Sequence, residues 1–114
     1  MNLIILLDHH QRWEEAQSLT EAAIHKYPDN PEFLFQYGNI LGQMGEYHQS
    51  EQSYLSALRM KQSAKYWNNL GVLYQRWNRL DRAVSAYQTA LKIDETFESA
   101  RKHLNRLNML NNGD

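Results

Sequence analysis

The residues of this chain best suited to metal chemistry are its five histidines. Asp8, His9 and His10 form one run of ligand types. Adjacent side chains on a helix point in different directions, however, and no second group of ligands lies nearby in the sequence. The other three histidines are isolated, at His25, His48 and His103. We therefore predict structural or solvent-exposed histidines and no bound metal.

Sequence patterns of known catalytic sites are absent as well. The chain contains no G-x-x-x-x-G-K phosphate-binding loop, no G-x-S-x-G nucleophile elbow and no H-E-x-x-H zinc motif. Its acidic residues are scattered, with no paired-carboxylate arrangement. Cysteine is absent, which excludes thiolate catalysis and disulfides and fits a reducing, cytoplasmic location. We predict a protein that is not an enzyme and uses no cofactor.

Charge and hydropathy argue against two classes of partner. The formal net charge is −1 over 114 residues, so the chain lacks the basic excess on which nucleic-acid binding depends. The apolar run Leu3–Leu7 is far shorter than the ~20 residues of a transmembrane helix. We predict neither nucleic-acid binding nor membrane insertion, and the length fits one domain.

A repeat organises the chain. Small residues recur in matching settings at Ala16, Ser50 and Ala83, and seven positions later at Ala23, Ala57 and Ala90. The offsets between the copies are 34 and then 33 residues. A period of this size is typical of stacked helical repeats, in which each unit packs against its neighbours.

Within each copy the apolar residues have helical spacing, so we predict three helix pairs and a final single helix. The pairs are Met1–Asp8 with Trp13–Tyr27, Phe33–Met44 with Tyr47–Met60, and Lys65–Trp77 with Leu80–Lys92, and the last helix runs from Phe97, after a cap at Thr96, to about Leu110. Turns are predicted at His9–Arg12, at Gly45 and at Asn78, the last two because these residues tolerate a left-handed backbone. Asn30 followed by Pro31 predicts a capped helix start.

The residues at these spacings resemble the tetratricopeptide repeat family. Its W-x-x-L-G-x-x-Y…A…F/Y…A signature is matched in order by Trp67, Leu70, Gly71, Tyr74, Ala83, Tyr87 and Ala90, and in the preceding copy by Leu34, Tyr37, Gly38, Leu41, Ser50, Tyr54 and Ala57. The resemblance implies an all-α fold, a right-handed α-solenoid of antiparallel helix pairs. It also implies one domain over 1–114, with repeats at about 1–30, 31–63 and 64–97 and a capping helix at 98–111.

The resemblance further implies a function. In this family the first helix of each pair lines a concave groove that holds a peptide. Carried over to this chain, that candidate groove consists of Ile5, Phe35, Asn39, Lys65, Asn68, Asn69, Val72, Arg76, Lys102 and Arg106, with Gln75 and His103 beside them. Helical spacing leaves these side chains out of the core, so we expect them to be free. We interpret the protein as a scaffold that binds a protein or peptide segment.

Two more specific readings follow. One branch of the family clamps the C-terminal carboxylate of heat-shock chaperones, but Phe35, Ser99 and His103 stand where that clamp has basic residues. Without charge-assisted bonds the carboxylate is poorly held, so we do not expect chaperone-tail binding. The alternative function is self-assembly, in which the apolar segment Met1–Leu7 contacts a second copy of the chain.

Overall fold

The computed structural model describes the backbone of residues 2–112 and the side chains of residues 12–109. Six α-helices occupy that described part of the chain, and it contains no strand. They are α1 (Asn2–Lys26), α2 (Pro31–Gln43), α3 (Tyr47–Met60), α4 (Ala64–Arg76), α5 (Leu80–Ile93) and α6 (Glu98–Asn112). The predicted all-α fold of antiparallel helix pairs is confirmed.

The helices group into two compact units, Met1–Met60 and Lys61–Asp114. In the first unit, α2 packs against both α3 and α1. In the second unit, α5 packs against both α4 and α6. Each unit is therefore one tightly packed helix pair with a third helix beside it, and the assignment of 1–114 to one domain stays a prediction.

The first helix departs from the predicted plan. The predicted turn at His9–Arg12 does not form, so that prediction is wrong: α1 continues without interruption from Asn2 to Lys26. The run His-His-Gln-Arg contains no glycine, proline or asparagine that would end a helix. The repeat pattern predicted a turn there, but the local residues favour helix, and the helix forms.

The other two turns are confirmed and have the same geometry. Gly45 and Asn78 both have left-handed backbones, with φ of 83° and 59°. In each turn the amide one residue further on reaches back to a carbonyl five residues earlier, from Glu46 to Leu41 at 2.9 Å and from Arg79 to Tyr74 at 2.7 Å. This closure satisfies the last carbonyls of the helix, and asparagine achieves it as glycine does.

Side-chain caps start two of the helices. Asn30 Oδ1 accepts from the amide of Glu32 at 3.0 Å, with Pro31 in the first turn, as predicted. Ser63 caps α4 by accepting from the amide of Tyr66. The predicted cap at Thr96 is wrong, because its amide and hydroxyl both donate to Asp94 Oδ1 and α6 begins at Glu98. Asp94 therefore shapes the turn into α6.

The two tight helix pairs depend on a tyrosine ring that crosses a glycine. A Cβ atom on Gly38 would lie 2.7 Å from the Tyr54 ring, and one on Gly71 would lie 2.5 Å from the Tyr87 ring. Both distances are shorter than any real contact of a Cβ atom. Each glycine is therefore required by the ring from the facing helix as well as by the approach of the helices themselves.

The small residues beside these rings differ in chemistry. Ser50 Oγ donates to the carbonyl of Gly38 at 2.6 Å, so it joins α3 to α2. Ala83 occupies the matching place in α5 and is fully buried, but it has no hydroxyl. Several residues that match the repeat signature are buried, namely Gly38, Ala57, Leu70, Gly71, Tyr74, Ala83, Tyr87 and Ala90, whereas Trp67 is only half-buried. The indole of Trp67 therefore lies at the edge of the core and not inside it.

We expect Gly71→Ala to lower the free energy of unfolding by roughly 1–3 kcal/mol, because the new methyl group clashes with the buried Tyr87 ring. If space were available, replacement of glycine by alanine in a helix interior would instead raise the free energy of unfolding by about 0.5–1 kcal/mol. Urea unfolding followed by circular dichroism measures the change. In a Tyr87→Leu background the loss should shrink, and an equal loss in both backgrounds would show that the ring is not responsible.

Gly45→Ala isolates a different effect, since nothing lies within 4 Å of a Cβ atom at this position. Its φ of 83° makes any L side chain strained, so we expect a loss of about 1–2 kcal/mol with no steric component. Gly45→Asn, chosen because Asn78 adopts this backbone in the other unit, should lower the free energy of unfolding by less than Gly45→Ala does. Equal stability of all three proteins would contradict the left-handed assignment.

We also expect Ala90→Leu to destabilise the second unit by roughly 1–3 kcal/mol through overpacking, because Ala90 is fully buried. The thermal midpoint reports this change. Replacement of the exposed Gln88, on the same helix, by leucine is the matched control and should leave the midpoint nearly unchanged.

Candidate functional site

Two tyrosine hydroxyls fix polar side chains on the predicted binding surface. The Tyr54 hydroxyl donates to Asn39 Oδ1, and the Tyr87 hydroxyl donates to Gln75 Oε1. Each ring enters from the second helix of a pair, crosses a glycine and ends at the polar face of the first helix. Burial raises the pKa of Tyr87 well above its usual value, so this hydroxyl stays protonated and acts as a donor.

In the first unit, the residues predicted for the candidate groove are largely occupied. Phe35 is only 5% exposed and lies against Tyr54, with ring centroids 5.8 Å apart. The prediction that Phe35 is a free apolar groove residue is therefore wrong, because it belongs to the core. Asn39 is held by Tyr54, and the side chain of Ile5 lies outside the described residues. The described residues of the first unit therefore give the candidate groove no free apolar side chain among those predicted.

In the second unit, four residues predicted for the candidate groove lie on one face of α4. Lys65, Asn69, Val72 and Arg76 follow one another at helical spacing and so share a face. Lys65 and Arg76 are exposed, whereas Asn69 and Val72 are half-buried. Charge therefore lies at both ends of this face, with an amide and a branched apolar side chain between.

Asn68 connects this helix to α6. It is only 6% exposed, and its Oδ1 lies 3.2 Å from Nδ1 of His103. The ring of His103 also stacks on Tyr87, with centroids 5.0 Å apart and an interplanar angle of 22°. The prediction that Asn68 is free is wrong, since it ties α4 to α6. One imidazole thus contacts both other helices of its unit.

Two cations extend the surface along α6. Lys102 and Arg106 are exposed and, with Asn105 and Met109, line a shallow depression of about 590 Å³. Sequence reasoning missed the last two residues, although their positions in the series 102, 105, 106 and 109 put all four on one helix face. We call Lys65, Arg76, Lys102 and Arg106 the basic face.

The electrostatics of His103 follow from its surroundings. Burial, followed by the positive charge of Arg106, lowers the pKa of His103 below its ordinary value. The neutral form is therefore favoured at physiological pH, and it can stack on Tyr87 without bringing a further cation into the site.

Other kinds of site receive no support from the described residues. Nowhere within them do three or more potential metal ligands come together closely enough to hold an ion. The predicted run Asp8-His9-His10 lies outside the described side chains. Among the helices described, none combines the length and apolarity that crossing a bilayer requires.

Comparison with known proteins identifies the repeat. Two family models described as tetratricopeptide repeat match residues 64–97 and 19–52. A thermophilic TPR protein of Thermus thermophilus is similar in structure, with a TM-score of 0.81 and 25% identity over 85% of this chain and 50% of that one. The first TPR of Spaghetti (RPAP3), bound to the HSP90 peptide SRMEEVD, is also similar, with a TM-score of 0.79 and 16% identity. That similarity covers 90% of this chain and 82% of the other.

One curated relative is an enzyme. A protein O-mannosyl-transferase of Caenorhabditis elegans is 27% identical over 104 residues, which is 90% of this chain. The chain spans only 15% of that relative's length. The similarity therefore concerns a small part of the enzyme.

We expect the stability of the second unit to fall as the pH drops below about 6.5, the ordinary pKa of histidine. The folded state holds His103 with a lowered pKa, so in this range the unfolded chain binds more protons and protonation favours unfolding. The loss continues until the pH reaches the lowered pKa. Thermal midpoints between pH 8 and pH 5 measure it.

His103→Gln is the control for this effect, since glutamine cannot titrate but can still bond to Asn68. The variant should therefore show a smaller acid-induced loss of stability than the unmodified protein. A pH profile identical to that of the unmodified protein would contradict the role assigned to His103.

Proposed function

The chain belongs to the tetratricopeptide repeat family, and from that premise we propose that it is a non-enzymatic scaffold that binds an acidic protein segment on the basic face. The single observation that carries this proposal is the pair of exposed cations Lys102 and Arg106, which line one depression on α6, a helix that the Asn68–His103 contact joins to α4. We propose that a ligand held by these two cations also reaches Lys65 and Arg76 on α4.

The charge on these two helices is predominantly of one sign. Helix α4 contains no acidic residue, and the acidic residue of α6, Glu98, lies in its first turn. The two helices together therefore carry an excess of positive charge. Carboxylates that approach the basic face gain charge-assisted hydrogen bonds, which are stronger than neutral ones.

Polar and apolar groups between the cations suit a polypeptide. Asn105, exposed beside Lys102 and Arg106, carries both a donor and an acceptor, which match the amide and carbonyl groups of an extended backbone. Val72 and Met109 supply apolar contact, and Met109 is 73% exposed. Methionine adapts its shape to different partners, so the surface accommodates more than one side chain at this point.

The proposed ligand differs from a chaperone tail held by its terminal carboxylate. His103, which stands where the family's clamp has a basic residue, is neutral and engaged with Asn68 and Tyr87. Phe35, in place of a lysine of the clamp, is buried. We therefore propose recognition of acidic side chains along the segment, and we expect an amidated C-terminus to bind as well as a free one.

The alternative function, self-assembly through Met1–Leu7, stays a prediction, because these side chains lie outside the described residues. The mannosyl-transferase activity of the curated relative is not proposed for this chain, which corresponds to 15% of that protein. The binding proposal is the one that the described contacts favour.

Fluorescence anisotropy with labelled peptides tests the proposal. The probes are SRMEEVD with an amidated C-terminus, the same peptide with a free C-terminus, and the charge-reversed SRMKKVK. We expect both acidic forms to bind with similar affinity and the reversed peptide not to bind. The double variant Lys102→Glu and Arg106→Glu should weaken binding by about fivefold to thirtyfold, at ~0.5–1 kcal/mol for each lost ion pair.

The matched control is the double variant Lys61→Glu and Lys92→Glu, which makes the same change in net charge. Both lysines are exposed, and neither lies on α4 or α6. Added salt should weaken binding to the unmodified protein and have little effect on the variant of the basic face. An equal loss of peptide affinity in both double variants would show that only the overall charge matters, and it would reject the basic face as the site.

A further inference from the structure

A second surface of the first unit has no role in the proposed function. An open cavity of about 550 Å³ lies between α1, α2 and α3, within the range of roughly 300–1,000 Å³ found for ligand pockets. Ile24, Leu34 and Leu41 contribute its apolar lining, and we call it the outer cavity. Leu41 is 1% exposed, whereas Ile24 and Leu34 are half-buried, so the apolar surface runs from the core to the opening.

A difference between the repeats accounts for space at this position. Leu34 is separated from Trp67 by the 33-residue offset and corresponds to it in the repeat. In the second unit, the half-buried indole of Trp67 donates its N–H to Gln62 Oε1 at 2.9 Å. Leucine supplies neither the volume nor the polar edge of an indole. The outer cavity is thus open where the other repeat carries its own aromatic side chain.

The walls of the outer cavity are polar, and they include His25 and His48 as well as side chains with acceptor oxygens. Gln49 and Gln52 of α3 are exposed and line the cavity. On the α1 side, Glu21 Oε1 accepts from the Tyr37 hydroxyl at 2.8 Å, which holds the carboxylate in place. Its second oxygen and the two amide oxygens are acceptors of the type that an indole N–H or a phenol O–H requires.

An apolar lining and polar walls together favour one kind of occupant. A purely aliphatic side chain would fill the lining and leave the walls unused, whereas a charged side chain would be desolvated against leucine and isoleucine. Tryptophan and tyrosine combine an apolar body with one polar edge, which is why they are common anchors at interfaces.

We propose that the outer cavity binds an aromatic anchor, a tryptophan or tyrosine side chain presented by a partner polypeptide. The polar edge of that side chain donates to the acceptors of Gln49, Gln52 or Glu21, and its ring covers Leu34. The site is separate from the basic face and does not depend on the function proposed for it.

The probe for this proposal is N-acetyl-tryptophanamide, followed by ¹H–¹⁵N NMR of the full chain. We expect saturable shifts at Ile24, Leu34 and Leu41, with a dissociation constant in the millimolar range, as is usual for so small a ligand. N-acetyl-leucinamide should bind at least about fivefold more weakly, because it lacks the ring and the polar edge. Equal binding of the two amides, or no saturation, overturns the proposal.

Leu34→Trp is the decisive variant, since it puts into the first unit the residue that the second unit already has. We expect it to abolish the probe shifts while retaining binding of the acidic peptide. Leu34→Ile, which conserves volume, should retain both. Should Leu34→Trp fail to fold, Gln52→Arg at the exposed wall should still weaken the probe at least about fivefold, and full affinity in that variant overturns the proposal.

Two further measurements separate the alternatives. The double variant Lys102→Glu and Arg106→Glu should bind the probe normally, so failure of the function proposed for the basic face leaves this result unchanged. Light scattering over a range of protein concentrations tests whether a second copy fills the outer cavity. A dimer that Leu34→Trp abolishes would assign the cavity to self-association and overturn its assignment to a different partner.

Discussion

The close contact between a tyrosine ring and a glycine governs both helix pairs. With Cβ distances of 2.7 Å at Gly38 and 2.5 Å at Gly71, no other residue fits without displacing the ring. The left-handed turns at Gly45 and Asn78 lead into the second helix of each pair, which carries the tyrosine. Two features therefore determine how the helices of each pair pack: the turn that joins them and the tyrosine ring between them.

The same contact determines what the binding surface offers. Because each ring passes through to the polar face, its hydroxyl holds Asn39 in the first unit and Gln75 in the second. In the second unit, Tyr87 also supports the imidazole of His103, which connects α6 to α4. The position of the cations on α6 therefore depends on residues of the core as well as on the exposed side chains.

Much of this architecture was predictable because it depends on local chemistry. The bounds of Tyr47–Met60 were predicted as observed, since a glycine precedes the helix and small and aromatic residues recur along it. Asn78 was placed correctly in a left-handed turn because asparagine tolerates that backbone. The prediction of a turn at His9–Arg12 was wrong because it was inferred from the repeat and not from residues that end helices.

The candidate site was harder to predict, because it depends on contacts that are distant in the sequence. Helical spacing put Phe35 and Asn68 outside the core, but spacing alone cannot show that Tyr54 covers one or that His103 bonds to the other from 35 positions away. The outer cavity has a similar origin. Substitution of leucine for tryptophan is visible in the sequence, but the open volume appears only when three helices are in place.

The bond between Tyr87 and Gln75 has a consequence for selectivity among ligands. A ligand that draws the Gln75 amide toward itself deprives a fully buried hydroxyl of its acceptor, at about 1–3 kcal/mol. Ligands that leave this amide undisturbed and bond to its neighbours avoid that penalty. A buried hydrogen bond thus affects which ligands the surface favours, although the ligands do not contact the Tyr87 hydroxyl themselves.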